Sequence, residues 1–301
     1  MGTVCTFTVF TEERGAGIEQ IEEYVGILEE AEQELSTWID NSALSRLNRH
    51  PLNTPFQLSK SLCPLFRQLI DWNQSTGSAF DPAVGSLMEL RGSADRESNG
   101  EIFRDAQEVS GMKHLQFDPS RCEVTRLRDI RLDPGAFGKG EALDRVFRHA
   151  HSEGQSPWLI DFGGQIMVAG LPPGQSVWSV DLAHPTDRSR SFLNLKLSSG
   201  SLATSGGSER DLIVDNKRIG HILDPRNGLP VSLPGSVTVW HPTAQAADIL
   251  STALYVMGPK TGLDWAESRE IAACFLILSA DYVGEGSVLI QTTTAFRQRF
   301  F

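Results

Sequence analysis

The stretch Leu132-Asp133-Pro134-Gly135-Ala136-Phe137-Gly138-Lys139-Gly140-Glu141-Ala142-Leu143-Asp144 decides how this chain is read. A β-like run at residues 130–132 enters it. An apolar set at helical spacing, Leu143, Val146, Phe147 and Ala150, leaves it, so the stretch reads as a strand-to-helix turn. Three glycines lie inside the turn. Glycine admits backbone conformations and close approaches that a Cβ forbids, and the amides that open a helix point their N–H groups at any nearby anion. With Lys139 among them, the turn can cradle a phosphate. Turns of this composition are common and most bind nothing. This one matches neither GxGxxG nor GxxxxGK(S/T), so it gains meaning only in company.

The remaining composition sets bounds. A chain of 301 residues with 40% hydrophobic content can bury one large core or two fused ones. A formal net charge of -11 and a pI near 5.1 repel nucleic acid and anionic membranes, so an anionic ligand needs a local cation. The longest apolar run, residues 271–278, is far shorter than a bilayer span. Met1 is followed by an alternating strand pattern rather than an export signal. The compartment stays open: cytoplasmic if Met1 is the native start, periplasmic or membrane-anchored if a leader was removed. Cys5, Cys63, Cys122 and Cys274 are scattered without CxxC spacing, which argues against a zinc site and against a disulfide framework.

Taken in order, residues 4–11 alternate as a strand, and Ile18, Ile21, Val25, Leu28 and Leu35 repeat as a helix. The stretch 36–48 is rich in short polar side chains that favour caps and turns. Within it Trp38 has two readings, over a planar ring or packed on the core, and the core reading is the commoner. Ser59 opens a second helix that ends at residues 75–77. Residues 79–85 read as the start of another short helix. Residues 91–100 form a polar loop, the candidate mobile segment. Later β-like runs cover residues 158–162, 165–169, 176–182, 192–197, 212–214, 217–222, 236–240, 271–278 and 288–292, with a helix over 244–256. Strands, then helices, then strands again, with few βαβ alternations, predict an α+β fold with a largely antiparallel sheet. No linker is evident, so residues 1–301 are expected to form a single domain of two intimately packed lobes.

Four hydrophobic-Asp-Pro triplets, at Asp81, Asp118, Asp133 and Asp224, are read first as turns or helix caps and only second as catalytic. Asp248 and Thr252 stand four apart on an otherwise small, apolar helix and therefore share a face. Together they offer two hard oxygens of the kind that hold Mg²⁺, or else a solvated stripe favouring the helix dipole. Residues 201–207, with Thr204, precede His221-Ile222-Leu223-Asp224-Pro225-Arg226, where a histidine beside a capped turn can act as a base or be purely structural.

Together and in this order these segments resemble the FAD:protein FMN transferases of the ApbE family. The resemblance runs from Met1-Gly2-Thr3 through Ser36-Thr37-Trp38, Ser45-Arg46-Leu47-Asn48, Phe80-Asp81-Pro82, the opening turn and Asp161-Phe162-Gly163-Gly164. It continues through Ala203-Thr204-Ser205-Gly206 and residues 221–231 to Ala247-Asp248 and Ala253. It implies the family's two-lobed α+β architecture, with FAD as substrate between the lobes and flavin contacts at Met1, Trp38, Ala79, Phe80, Asp81, Asp133, Lys139 and Ile222. It also implies Mg²⁺ held by the carbonyl of Ala136 with Asp248 and Thr252. His221 is then the base, oriented by Asp224 or by the Thr204-Ser205 segment. The attacker is a threonine or serine hydroxyl of an acceptor flavoprotein in a redox complex, and AMP leaves. The resemblance implies neither a nucleic-acid partner nor a membrane span. Trp38 stands where tyrosine is usual, and Gln245 stands where some relatives carry an acidic residue. These departures keep two alternatives in view: an FAD pyrophosphatase giving FMN and AMP, and a non-catalytic flavin binder.

Overall fold

The computed structural model describes residues 2–90, 100–155, 157–207, 212–214, 217–278 and 288–301. In chain order the elements are β1 (Cys5–Val9), α1 (Arg14–Leu35), α2 (Ala43–Arg49), β2 (Phe56–Gln57), α3 (Leu62–Ser75), α4 (Gly85–Leu90) and α5 (Gly100–Val109). Next come β3 (Leu115–Asp118), β4 (Glu123–Arg126), α6 (Gly138–Ser152), β5 (Trp158–Phe162), β6 (Gln165–Ala169), β7 (Trp178–His184), β8 (Asp187–Leu197) and β9 (Gly200–Gly206). The chain continues with β10 (Leu212–Val214), β11 (Lys217–Ile219), β12 (Gly235–His241), α7 (Ala244–Glu267), β13 (Ala272–Leu278), β14 (Val288–Thr292) and α8 (Thr294–Phe300). They fall into two compact units, each discontinuous in sequence. One comprises Met1–Glu32, Phe137–Gly207 and Leu233–Phe301, and the other Gln33–Ala136 with Ser208–Ser232.

The first unit is built on a seven-stranded antiparallel sheet in the order β1-β5-β6-β9-β12-β13-β14. Strand alternation explains its two layers, because successive side chains leave opposite faces. Trp158 and Ile160 of β5 and Met167 of β6 pack with Tyr24 and Leu28 of α1 and with Leu143 and Val146 of α6. The residues between them, Leu159 and Val168, join Trp178, Val180 and Leu195 of the β7–β8 hairpin and Phe296 of α8 on the other face. Burying each such side chain contributes about 1.5–3 kcal/mol, so both faces must be covered. Helix α7 packs on β9 and β12. It runs beyond residue 256, where the sequence pattern ends, because it resumes after a break at Gly258 (φ 76°) and Pro259, which lacks the N–H an unbroken helix needs.

The second unit holds a three-stranded sheet, β2-β4-β3, the β10–β11 hairpin and helices α2 to α5. Three expectations are corrected in it. Cys63 and Cys122 form a disulfide with Cα atoms 5.4 Å apart. The fold sets the start of α3 against the β3–β4 turn, and a separation of 59 residues carries no spacing signal for that. Residues 130–132 form no strand, since their backbone groups are taken up individually. The Asn48 side chain donates to Leu132 C=O (2.9 Å) and accepts from Leu132 N–H (2.8 Å), while Arg131 C=O accepts from Gly85 N–H (2.8 Å). Residues 79–84 are a turn, and α4 starts only at Gly85. The polar loop expected at 91–100 lies outside the described residues up to position 99. Among the described residues no helix is long and apolar enough to cross a membrane.

Candidate functional site

The site in the first unit forms where two helices begin. Helix α6 opens at Gly138 and α7 at Ala244, and Asp248, one turn into α7, points its carboxylate at the first residues of α6. Lys139 Nζ donates to Asp248 Oδ1 at 3.0 Å and to Oδ2 at 3.3 Å, and Gly140 N–H donates to Oδ2 at 3.1 Å. Asp248 is buried and Lys139 mostly so. A charge-assisted contact of this kind is about twice as strong as a neutral one, and removing one partner strands the other charge in a poorly solvated place. Gly140 is glycine for a physical reason. A Cβ there would collide with Ala244 C=O and lie 2.5 Å from Gln245 Cα, so any other residue would push the two helices apart.

One turn after Asp248, Thr252 presents Oγ1 3.3 Å from Ser205 Oγ on β9, and Ser205 Oγ lies 2.9 Å from Ser251 Oγ. Ser251 also donates to the Asp248 carbonyl at 2.9 Å. The sheet thus hands a hydroxyl to the helix face that carries the carboxylate. A carboxylate has about four lone-pair sites, and Lys139 and Gly140 leave some of them available. Among the described residues no group of three or more His, Cys, Asp or Glu side chains gathers. One carboxylate and one hydroxyl cannot enclose a cation, but they suit Mg²⁺, which keeps waters and takes substrate phosphates as its remaining ligands.

Of the residues singled out in the sequence, Lys139, Asp248 and Thr252 are brought together here. Thr204 is not. It precedes Ser205 on a strand, so it leaves the opposite face and pairs with Thr238 Oγ1 at 2.8 Å. The sequence pattern marks no strand over residues 201–207, and the strand at Gly200–Gly206 is what sends Thr204 and Ser205 to opposite faces. Met1 lies outside the described residues.

The remaining candidates belong to the second unit. Trp38 is 95% exposed, so it is not a core residue. Ala79 and Phe80 are buried, and Phe80 C=O accepts from the Asn73 side chain at 2.8 Å. The buried Asp81 carboxylate accepts Ala83 N–H (2.8 Å) and Met112 N–H (3.0 Å). Burial pushes its carboxyl above the usual range, with those two bonds pulling the other way. Asp133 accepts Gly135 N–H at 2.8 Å, and Ala136 is the last residue of this segment before Phe137. His221 and Ile222 are half-buried just after β11, and Val231 N–H donates to Ile222 C=O at 2.8 Å. The Asp224 carboxylate is gripped at both oxygens by Arg226, Nε and Nη2 each at 2.8 Å.

The frame is an antiparallel α+β fold in which a lysine-anchored carboxylate and, one turn further, a hydroxyl lie on one face of α7. Over its full length the chain superimposes on the flavin transferase ApbE of Vibrio cholerae, with TM-score 0.86, 26% identity and 96% of that chain covered. An ApbE protein of Thermotoga maritima gives TM-score 0.88 at 26% identity, with the same coverage. An FAD:protein FMN transferase of Salmonella typhimurium is 30% identical across 84% of this chain and 74% of its own length. One from Vibrio cholerae is 28% identical across 85% and 78%. The ApbE family profile matches residues 1–275, and the chain belongs to the ApbE family.

Proposed function

We propose that this chain transfers FMN from FAD to a threonine or serine hydroxyl of an acceptor flavoprotein, releasing AMP. Membership of a family whose curated members are FAD:protein FMN transferases supports FAD as the substrate and a transferase reaction. The observation that carries the reading onto this chain's own residues is that Lys139 reaches the Asp248 carboxylate while Thr252 stands one turn further along the same helix.

In this reading Asp248 and Thr252 hold Mg²⁺, and the Ala136 carbonyl is the third protein ligand that the family resemblance supplies. Mg²⁺ held there would supply positive charge against the negative charge that develops on the departing AMP. Lys139, bonded to Asp248, would supply a second positive charge beside the diphosphate. The acceptor hydroxyl oxygen forms a bond to the FMN phosphorus, and the bridging P–O bond breaks with its electron pair leaving on AMP. The hydroxyl proton passes to His221. Asp224, tied to Arg226, holds the turn that presents His221. Met1, Trp38, Ala79, Phe80, Asp81, Asp133 and Ile222 are our flavin contacts, and the exposed indole of Trp38 suits stacking on a planar ring. Ser205 steadies Thr252, the hydroxyl ligand, rather than the flavin.

The test is to incubate the protein with FAD and Mg²⁺, with and without an acceptor domain, reading released AMP and protein-attached flavin fluorescence. Both products in the presence of acceptor are expected. AMP without attached flavin would make the chain a hydrolase, and bound FAD with neither product would make it a binding protein.

A further inference from the structure

What fixes Asp248 in place is the start of α7, and that start lacks its own cap. Thr243, the residue before the helix, gives no side chain to the first-turn amides, and its hydroxyl pairs with His241 Nδ1 at 2.9 Å. Free first-turn N–H groups inside a protein are costly unless some acceptor reaches them. The acceptor comes from the other helix. Asp144 of α6 takes Ala244 N–H at 2.6 Å on Oδ1 and Gln245 N–H at 2.9 Å on Oδ2.

The arrangement is reciprocal. Asp248, four residues after Ala244, accepts Gly140 N–H from α6, and Asp144, four residues after Gly140, accepts Ala244 N–H from α7. Each helix start is therefore capped by an aspartate one turn inside the other, and the missing Cβ of Gly140 lets the two starts meet. Two further contacts hold the same turn: Gln165 Nε2 donates to Ala244 C=O at 2.8 Å, and Gln245 Nε2 donates to Glu141 Oε2 at 3.1 Å. Asp144 touches none of Lys139, Asp248 or Thr252 in these contacts. Its partners are the amides from which the Asp248 side chain is carried.

We propose that Asp144 is the positioning residue of the site: by capping α7 from α6 it sets where Asp248 and Thr252 stand relative to Lys139. This rests on the reading of Asp248 and Thr252 as cation ligands. Asn at position 144 keeps the shape but turns one acceptor into a donor facing an N–H, so α7 loses half its cap. Groups bonded directly to metal ligands are typically worth about 10–100-fold in affinity, and Asp144, which acts through the helix that carries the ligands, is expected at the lower end of that range.

The experiment measures Mn²⁺ binding to the full chain by electron paramagnetic resonance, together with the thermal midpoint, for Asp144→Asn, Val146→Ala and Asp248→Ala. Val146 is a fully buried core residue of the same helix with no place in the site, so its truncation reports plain destabilisation. The expected result is Mn²⁺ affinity at least about tenfold weaker in Asp144→Asn and unchanged in Val146→Ala, at comparable loss of midpoint. Unchanged affinity in Asp144→Asn, or an equal loss in Val146→Ala, overturns the positioning role and leaves the cation reading standing. Unchanged affinity in Asp248→Ala overturns the cation reading and the positioning role with it. If Asp144→Asn does not fold, Gln165→Met removes only the bond to Ala244 C=O and must weaken Mn²⁺ in the same direction, or the proposal falls.

Discussion

The two units use aspartate in opposite ways. In the second unit each hydrophobic-Asp-Pro aspartate bonds the amide two residues ahead: Asp81 to Ala83, Asp118 to Ser120, Asp133 to Gly135 and Asp224 to Arg226. These are local turns in which the proline presets one backbone angle and the carboxylate closes the loop. In the first unit Asp144 and Asp248 precede no proline and bond partners about a hundred residues away. A carboxylate that closes its own turn stabilises local geometry. One that bridges helix starts can also present its remaining lone pairs to a ligand.

That contrast can be broken experimentally, most forcefully at Asp248. Asp248→Asn keeps the side-chain shape but removes the charge, and AMP release is expected to fall by at least about a hundredfold, the scale of losing one electrostatic stabiliser of a transition state. The folded state should persist by circular dichroism. Turnover within a few-fold of wild type would reduce Asp248 to a turn-like role. At the Cys63–Cys122 bridge the expected effect is on stability. Opening a 59-residue loop removes on the order of 2–4 kcal/mol, read as a lower denaturant midpoint after reduction.

Asp144 supplies a pH test. Burial first, then the neighbouring Glu141 charge, push its carboxyl up to about 6, while the Gln245 and Ala244 amides and Arg148 pull it down. The folded state therefore holds this proton more tightly than the unfolded chain. The stabilisation it gives is complete at pH values below the ordinary carboxylate range and is lost as pH rises through 6. Relative to Asp144→Asn, wild type should gain up to about 3 kcal/mol on going from pH 7 to pH 4, measured by urea unfolding. A parallel pH dependence in the two proteins would show that Asp144 titrates normally. The smallest effects belong to the turns. Asp81→Ala should cost about 1–3 kcal/mol, because the Met112 amide loses its acceptor inside the fold. Asp118→Ala, at a solvated turn, should leave both stability and turnover nearly unchanged. Asp81 is also one of our flavin contacts, so Asp81→Ala should lose turnover beyond what its stability loss explains, and a loss no larger than that would leave it the turn role alone.

Much of the fold was legible because burial writes periodicity into sequence. The alternation at residues 158–162 and 165–169 matched β5 and β6, and the helical spacing from Ile18 to Leu35 marked α1. Short, locally polar elements were not legible. Strands β2, β3 and β4 are two to four residues long, too short for a period to show, and β9 was hidden in a run of Ser, Ala and Thr. That same run hid which way Ser205 faces, and its contact with Thr252 depends on which face of a strand it leaves.

By itself the sequence determined the antiparallel α+β class, the turn chemistry of the four Asp-Pro aspartates and the pairing of Asp248 with Thr252 on one helix face, since each depends on residues a few positions apart. Only the tertiary structure decided that Cys63 meets Cys122, that Lys139 and Gly140 meet Asp248, and that Asp144 caps a helix a hundred residues away. Such contacts arise when packed layers bring remote segments within hydrogen-bond reach. No local propensity encodes that distance.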